Sequence, residues 1–374
     1  MKQRKTCCLQ LPLKPLNHYL IYSPPWAVIF PDCIMTTTTL SSVIPAAKLA
    51  AVETALLKAF HTTGITSISL LHGGLSDAAV YKLEVNGSVY VLKSDVPAQP
   101  GVDLYECITL AAKAGVSPQV YYANAGTGIC ISAFIEPKPL RGSFPSNELL
   151  LRALAGTIQR IHAMPLFTKP GDTKGTVQGL IGQCRVSGMF SDAAFEECFG
   201  YYNAVLEQYP WEADQVSSHN DLNPNNILCD GAKLWVVDWD AASVNNRYID
   251  LAIVANTFVQ NEAQETFFLH AYFGNSPDAC QRARFFVTRQ TAYLVYALMM
   301  FQLAGRANAA IAVEQPYAAS NNMEMVRGML YTGALSLATA EGQMLYGQAL
   351  FNQALHNMRS PAFAAALAGL RHAV

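Results

Sequence analysis

The alternation of hydrophobic and polar residues changes its period along the first hundred residues. Residues 46–60 have the periodicity of an amphipathic helix, whereas residues 66–94 alternate as strands interrupted by a glycine-containing loop and a turn. Asn86 and Gly87 lie between two alternating runs, and an Asn-Gly pair in that setting is a strong hairpin signal. This part of the chain therefore predicts a helix followed by an antiparallel sheet.

Helical periodicity becomes dominant after residue 136. Before that point a helix is predicted over 103–114, and further strands around 119–124 and 128–134. A helix over 146–165 follows, and beyond residue 251 almost every segment has a helical pattern. The fold class predicted is α+β, with a small β-rich lobe and a large mainly helical lobe.

The predicted domain boundaries follow from these changes in pattern. Residues 45–136 form the small lobe and residues 137–374 the helical lobe, with a linker near 134–140. Residues 1–44 are predicted to be a poorly ordered N-terminal extension, because their short apolar pieces are interrupted by prolines. Met35 is an alternative start, which would make residues 1–34 an upstream segment.

Composition narrows the class of protein. Of the 374 residues 51% are hydrophobic and 14% charged, and the net charge of −2 is spread along the chain, so no nucleic-acid partner is expected. Nine cysteines without C-x-x-C spacing predict reduced thiols in a cytoplasmic protein. The apolar run over 291–305 is too short for a membrane span and predicts a buried helix.

The polar stretch over 217–240 carries the clearest chemistry. His219, Asp221 and Asn226 precede a hydrophobic run that ends on Asp238. Transfer of a phosphoryl group needs a carboxylate to accept the hydroxyl proton and hard oxygen ligands for Mg²⁺, and Asp221, Asn226 and Asp238 are of these types. The alternative is an ordinary Asn- and Asp-rich turn before a strand.

Three weaker indications of a nucleotide site, a glycine loop, a lysine and a glutamate, precede this stretch in the chain. Gly73, Gly74 and Ser76 can bring backbone N–H groups and a hydroxyl to phosphate oxygens, although a glycine turn in a hairpin is as common. Lys93 ends a strand and would reach the phosphates if an acid held it, and Glu106 in the next helix is the candidate partner, although each can also be an ordinary surface charge. Glycine loop, lysine, glutamate, H-x-D-x-x-x-x-N and a later aspartate are the parts of a kinase in sequence order.

These motifs resemble those of the aminoglycoside phosphotransferase/choline kinase superfamily, which has a protein-kinase-like bilobal fold. The segments that carry the resemblance are HNDLNPNNIL and VVDWD in the polar stretch, IHAMP at 161–165 and NNRYIDLA at 245–252. The resemblance covers about residues 65–258. It implies ATP and Mg²⁺ as cofactors and a small-molecule hydroxyl as acceptor.

The resemblance also implies a role for each motif residue. Asp221 would be the base, and Asn226 and Asp238 the Mg²⁺ ligands. Lys93 and Glu106 would position ATP, with the adenine at the linker between Phe134 and Glu136. His219 and Asp250 are expected to support the structure of the site.

The acceptor is predicted to be an amino alcohol, choline or ethanolamine. His-Asn-Asp and the segment over 115–141 are similar to choline kinases, and aromatic faces and carboxylates suit a quaternary ammonium group. The residues predicted to contact it are Asn223, Trp239, Asp240, Tyr293 and Tyr296, although the two tyrosines can equally be core. An aminoglycoside, thiamine, or a pseudokinase that only binds a partner are the alternatives, and the oligomeric state stays open.

Overall fold

The computed structural model describes residues 39–71, 78–99, 101–187, 193–314 and 317–371. A five-stranded antiparallel sheet, in the order β1-β2-β3-β5-β4, occupies the first part of the chain. Its strands are β1 Ser67–Leu70, β2 Ala79–Val85, β3 Ser88–Ser94, β4 Val120–Asn124 and β5 Ile129–Ala133. Helices α1 Leu40–Val43 and α2 Ala46–Phe60 precede the sheet, and α3 Glu106–Lys113 lies between β3 and β4.

The predicted hairpin is confirmed. Asn86 and Gly87 both have positive φ angles, 51° and 74°, which a two-residue turn of this hand requires. The turn sets the register in which Val85 pairs with Ser88. Helix α2 begins and ends at the predicted residues and buries one face against the sheet.

The last residues of the predicted N-terminal extension, 40–44, pack against the small lobe. Leu40 is 7% exposed and Ile44 3% exposed, and both pack in the hydrophobic core between α2 and the sheet. Burial of apolar side chains is the main favourable contribution to folding, so residues 40–44 belong with the sheet. Residues 1–38 lie outside the described part of the chain.

Helices make up most of the remainder. They are α4 Leu140–Ser143, α5 Asn147–His162, α6 Thr173–Ser187, α7 Ala193–Gln208, α8 Tyr248–Phe258, α9 Glu262–Phe273, α10 Ala279–Ala307, α11 Ile311–Glu314, α12 Met323–Thr332, α13 Ala340–Met358 and α14 Pro361–Arg371. The longest, α10, has 29 residues and packs against α8, α13 and α14. The predicted buried helix over 291–305 lies within it. No helix among the described residues is long and apolar enough to cross a membrane.

Two short pairs of antiparallel strands lie between α7 and α8. Strands β6 Gln215–Ser218 and β9 Ser243–Asn246 form one pair, and β7 Ile227–Cys229 and β8 Leu234–Val236 form the other. The polar stretch of the sequence therefore becomes two loops. One joins β6 to β7 and carries Asp221, and the other joins β8 to β9 and carries Asp238.

Candidate active site

Asp221 lies at the centre of the first loop and receives three side-chain hydrogen bonds. Its Oδ1 accepts from the Nδ2 of Asn223 at 3.0 Å and from the hydroxyl of Tyr296. Its Oδ2 accepts from the Nδ2 of Asn226 at 2.9 Å. The carboxylate is partly buried and held in one orientation, as a base that must meet a hydroxyl proton requires.

Asn226 is held by the local turn that follows Asp221. The segment Pro224–Asn226 forms a single 3₁₀ turn, begun by Asn223, whose side chain accepts from the N–H of Asn225. The Nδ2 of Asn226 also donates to the backbone oxygen of Asp221 at 2.9 Å. Because both of these bonds use its nitrogen, the Oδ1 of Asn226 is the atom suited to a cation.

Asp238 ends the short hydrophobic run in a left-handed backbone conformation, with φ of 62°. Aspartate adopts this conformation more readily than most residues, and it turns the chain sharply after β8. The residue as a whole is exposed, yet desolvation of the carboxylate and the charge of Asp240 raise the pKa of Asp238. Asp221 adds to the increase and Lys93 opposes it. A cation beside Asp238 would relieve this repulsion between like charges.

Asp250 supports the Asp221 loop from beneath. Its fully buried carboxylate accepts the backbone N–H of His219 at 2.9 Å and that of Asn220 at 2.8 Å. The Nε2 of His162 lies 3.1 Å from the same carboxylate. Burial opposes the charge, but the hydrogen bond and charge of His162 and the interactions with His219 outweigh it and lower the pKa of Asp250.

His219 is completely buried and packs the two loops together. Its Nε2 lies 3.1 Å from the backbone oxygen of Val237, next to Asp238. Its ring meets that of Trp239 edge to face, with 4.7 Å between the centroids. These contacts give His219 a structural position rather than one facing an open cleft.

Lys93 is paired with Asp240 and not with Glu106. Its ammonium hydrogen-bonds Asp240 and lies 3.7 Å from the Oδ1 of Asp95. Burial opposes its charge, but the carboxylates of Asp240 and Asp95 prevail and raise the pKa of Lys93. Glu106 instead accepts the backbone N–H of Thr168, at 3.1 Å, and the hydroxyl of Thr168. The predicted Lys93 to Glu106 pair is absent from this structure because each partner is held by another group.

The predicted adenine linker has no regular secondary structure between β5 and α4. The backbone N–H of Phe134 lies 3.3 Å from the oxygen of Val89, its ring lies 4.6 Å from the ammonium of Lys82, and Glu136 is exposed. The predicted glycine loop with Gly73, Gly74 and Ser76 lies outside the described residues. The structure therefore leaves these nucleotide contacts as predictions.

The five predicted acceptor contacts do not form one cage. Trp239 is 5% exposed and donates to the oxygen of Val236 at 3.1 Å, and Tyr293 is 7% exposed in the helical core, so both rings serve packing. Asn223 and Tyr296 hydrogen-bond Asp221, and Asp240 binds Lys93. Tyr293 is therefore a core residue, whereas Tyr296 packs its ring against the core and turns its hydroxyl to Asp221.

Two acidic or hydroxyl groups near the site were not predicted. Asp95 follows Lys93 by two residues, and its Oδ2 accepts the hydroxyl of Tyr105 at 2.7 Å. Residues two apart on a strand share a face, so the spacing of Lys93 and Asp95 could have indicated that these two side chains lie close together. Thr168 had no such signal, because it meets Glu106 across 62 residues of sequence.

The oxygen ligands at this site suit a metal ion that is also bound by phosphate. Within the described part of the chain, no three His, Cys, Asp or Glu side chains gather in a way that could hold a metal. Asn226 and Asp238 offer one neutral and one charged oxygen ligand. Mg²⁺ in phosphoryl-transfer sites is commonly bound by one or two protein ligands plus substrate phosphates and water, which is the arrangement these two residues fit.

Comparison with known sequences identifies the family. Residues 67–286, more than half of the chain, match the phosphotransferase enzyme family. An aminoglycoside 3'-phosphotransferase of Salmonella typhimurium is 27% identical over 119 residues, which cover 30% of this chain and 44% of that protein. The chain thus spans less than half the length of the curated relatives it matches.

Solved structures show the same fold. A choline/ethanolamine kinase family protein of Mesorhizobium loti superposes with a TM-score of 0.60 at 18% identity, over 86% of this chain and 99% of that one. A choline kinase of Cryptosporidium parvum superposes with a TM-score of 0.56 at 11% identity, over 83% and 93%. The fold is therefore protein-kinase-like, with a small antiparallel sheet and a large helical part, and the chain belongs to the phosphotransferase enzyme family.

Proposed function

We propose that this protein transfers the γ-phosphoryl group of ATP to a hydroxyl group of a small molecule. The observation that carries the proposal is the convergence of one oriented carboxylate, Asp221, with Asn226, Asp238 and Lys93 on two adjacent loops and a strand end. Each is a part that phosphoryl transfer needs, and Asp221 and Asn226 touch directly. Family membership supports the proposal independently.

In the proposed reaction Asp221 accepts a hydrogen bond from the acceptor hydroxyl and takes its proton as the new bond forms. The acceptor oxygen bonds to the γ-phosphorus, the bond from that phosphorus to the bridging oxygen breaks, and ADP leaves with the electron pair. Mg²⁺ on Asn226 and Asp238 would supply charge neutralisation at the phosphates. The ammonium of Lys93 would bind the phosphate oxygens in place of Asp240.

We further propose an amino alcohol, choline or ethanolamine, as the acceptor. The His-Asn-Asp motif at 219–221 supports this choice, because it is similar to that of choline kinases. An aminoglycoside is the second candidate, since the 119-residue match is to a protein of that name. Thiamine remains the third acceptor to be tested.

The test is ADP release by the purified protein with Mg²⁺ and ATP, in the presence of choline, ethanolamine, thiamine or one of several aminoglycosides. Turnover with one acceptor, lost in Asp221→Ala while nucleotide affinity is kept, is the expected result. If Asp221→Ala lost nucleotide binding together with turnover, the role of Asp221 as base would be wrong. Nucleotide binding without turnover on any hydroxyl compound would instead favour a pseudokinase.

A further inference from the structure

Tyr296 reaches the proposed base from the long helix α10. Its hydroxyl donates to the Oδ1 of Asp221, 75 residues away in sequence. The ring is packed against both hydrophobic cores of the helical part, so it is anchored in place. Burial, and then the charge of Asp221, raise the pKa of Tyr296 well above its usual value, so the hydroxyl keeps its proton and acts as a donor.

The donors around Asp221 divide unequally between its two oxygens. Each carboxylate oxygen accepts about two hydrogen bonds. Oδ1 already has two donors, the hydroxyl of Tyr296 and the Nδ2 of Asn223. Among the described residues, Oδ2 has a single side-chain donor, the Nδ2 of Asn226. One acceptor position is left, and it is on Oδ2.

We propose that Tyr296 is a positioning residue which, with Asn223, occupies the Oδ1 of Asp221 and so reserves Oδ2 for the acceptor hydroxyl. This inference rests on the proposed function, because it assigns the oxygen of Asp221 that acts as base. It departs from the prediction that the ring of Tyr296 contacts the acceptor, since the hydroxyl of Tyr296 faces the base instead.

The choice of oxygen has a geometric consequence for the reaction. Oδ2 is the oxygen that touches Asn226, on the side where the phosphates and metal are proposed to lie. A hydroxyl bound to Oδ2 is therefore closer to the phosphoryl group than one bound to Oδ1 would be. Loss of the Tyr296 donor would let the acceptor bind the wrong oxygen, and misplacement of this kind lowers kcat.

The experiment compares wild type with Tyr296→Phe, using the acceptor found above. We expect kcat to fall roughly 10- to 100-fold, as for loss of a hydrogen bond to a charged group. The KM for ATP and the Kd for ADP should stay within about twofold, because Tyr296 contacts the base and not the nucleotide. Incorporation of 3-fluorotyrosine at position 296, which returns the hydroxyl, should restore kcat.

Tyr202→Phe is the matched control. Tyr202 is fully buried in α7, and its hydroxyl has no hydrogen-bond partner among the described residues, so its removal should leave kcat unchanged. If Tyr296→Phe does not fold, Asn223→Ala tests the same oxygen, because alanine removes the Nδ2 donor and supplies no other. It should lower kcat in the same way.

The outcomes separate the inference from the proposed function. An active wild type with unchanged kcat in Tyr296→Phe, or no rescue by 3-fluorotyrosine, would overturn the role of Tyr296 alone. A parallel loss of kcat and ADP affinity would also overturn it, since a structural defect acts on both. A wild type without turnover on any acceptor would overturn the proposed function and this inference together.

Discussion

The ammonium of Lys93 is bound to the carboxylate of Asp240, 147 residues further along the chain. This pair joins the end of β3 to the loop that carries Asp238 two residues earlier. The Lys169 ammonium donates to the backbone oxygen of Asp240 at 2.7 Å, which helps to hold that loop. Lys93 is thus bound to a carboxylate at the place where the phosphates of a nucleotide are proposed to bind, and we expect these phosphates to compete with Asp240 for its ammonium.

Asp240→Asn should therefore raise the affinity for ADP in the absence of Mg²⁺. The substitution frees Lys93 and removes one negative charge near the phosphates. Because the Asp240 side chain is half exposed, the gain should be modest, roughly two- to tenfold in Kd. Isothermal titration calorimetry with ADP and EDTA measures it.

Glu196→Gln is the control for this charge change. Glu196 forms an exposed ion pair with Arg185 in the helical part, so its neutralisation should leave the Kd for ADP unaltered. Equal or weaker ADP binding by Asp240→Asn than by wild type would show that Asp240 does not compete with nucleotide for Lys93.

Asn226→Asp separates the proposed metal ligation by Asn226 from its hydrogen bond to Asp221. Aspartate keeps a metal-ligating oxygen but has no Nδ2, so the hydrogen bond to Asp221 is replaced by two carboxylates in contact. We expect kcat to fall by about 100-fold or more at saturating Mg²⁺ and ATP, the size of a lost base. Steady-state kinetics over a range of Mg²⁺ concentrations tests this.

The neighbouring Asn225→Asp provides the comparison, because Asn225 is exposed and only its backbone N–H contacts Asn223. It should keep near-normal turnover. Full activity in Asn226→Asp would mean that metal ligation alone explains Asn226, and that its donor to Asp221 has no part in the reaction.

Local signals predicted the fold better than they predicted the site. The turn at Asn86 and Gly87 and the helix α2 depend on short-range periodicity, and both formed where expected. Helix α6, for which no element was predicted, contains three glycines in its 15 residues and buries only Val177, Ile181 and Cys184. Glycine lowers helix propensity, and the weak apolar face gave little periodicity to detect.

The partners of charged side chains needed the tertiary structure. In the sequence, Lys93, Glu106, Asp221, Asn226 and Asp238 follow the order of the parts of a kinase. The order of residues does not show that the carboxylate bound to Lys93 is that of Asp240, in a loop far along the chain. Such a contact depends on how the sheet and the helical part meet. The burial of the Trp239 ring could not be predicted either, because it also depends on tertiary contacts.

Asp250→Asn should destabilise the protein and flatten its acid sensitivity. Because the pKa of Asp250 is lower in the folded protein than in the unfolded chain, its contribution is present above the unfolded value, about 3.9, and is lost as pH falls through the folded value. Loss of the charged acceptor for the N–H groups of His219 and Asn220 should cost about 1.5–3 kcal/mol at neutral pH. Urea unfolding between pH 3 and pH 7 measures both effects.

For Asp250 the matched substitution is Asp278→Asn at the start of α10. Asp278 caps that helix by accepting the N–H of Gln281, and asparagine caps equally well, so the stability should change little. If Asp250→Asn and wild type lost stability equally between pH 5 and pH 3, the charge of Asp250 would not contribute to the stability of the folded state.

Gly128→Ala should be more damaging than Gly87→Ala, although both glycines have positive φ angles, 68° and 74°. A Cβ at Gly87 has no heavy atom within 4 Å, so the cost there is the left-handed conformation alone, about 1 kcal/mol. A Cβ at Gly128 would lie 2.3 Å from the backbone oxygen of Asp95, and the strand end must move. We expect Gly128→Ala to lower the free energy of unfolding by about 3 kcal/mol or more, as measured by urea unfolding.

Because Asp95 neighbours Lys93, ADP affinity should also fall in Gly128→Ala and not in Gly87→Ala. Equal effects of the two substitutions would show that the strand end yields without cost.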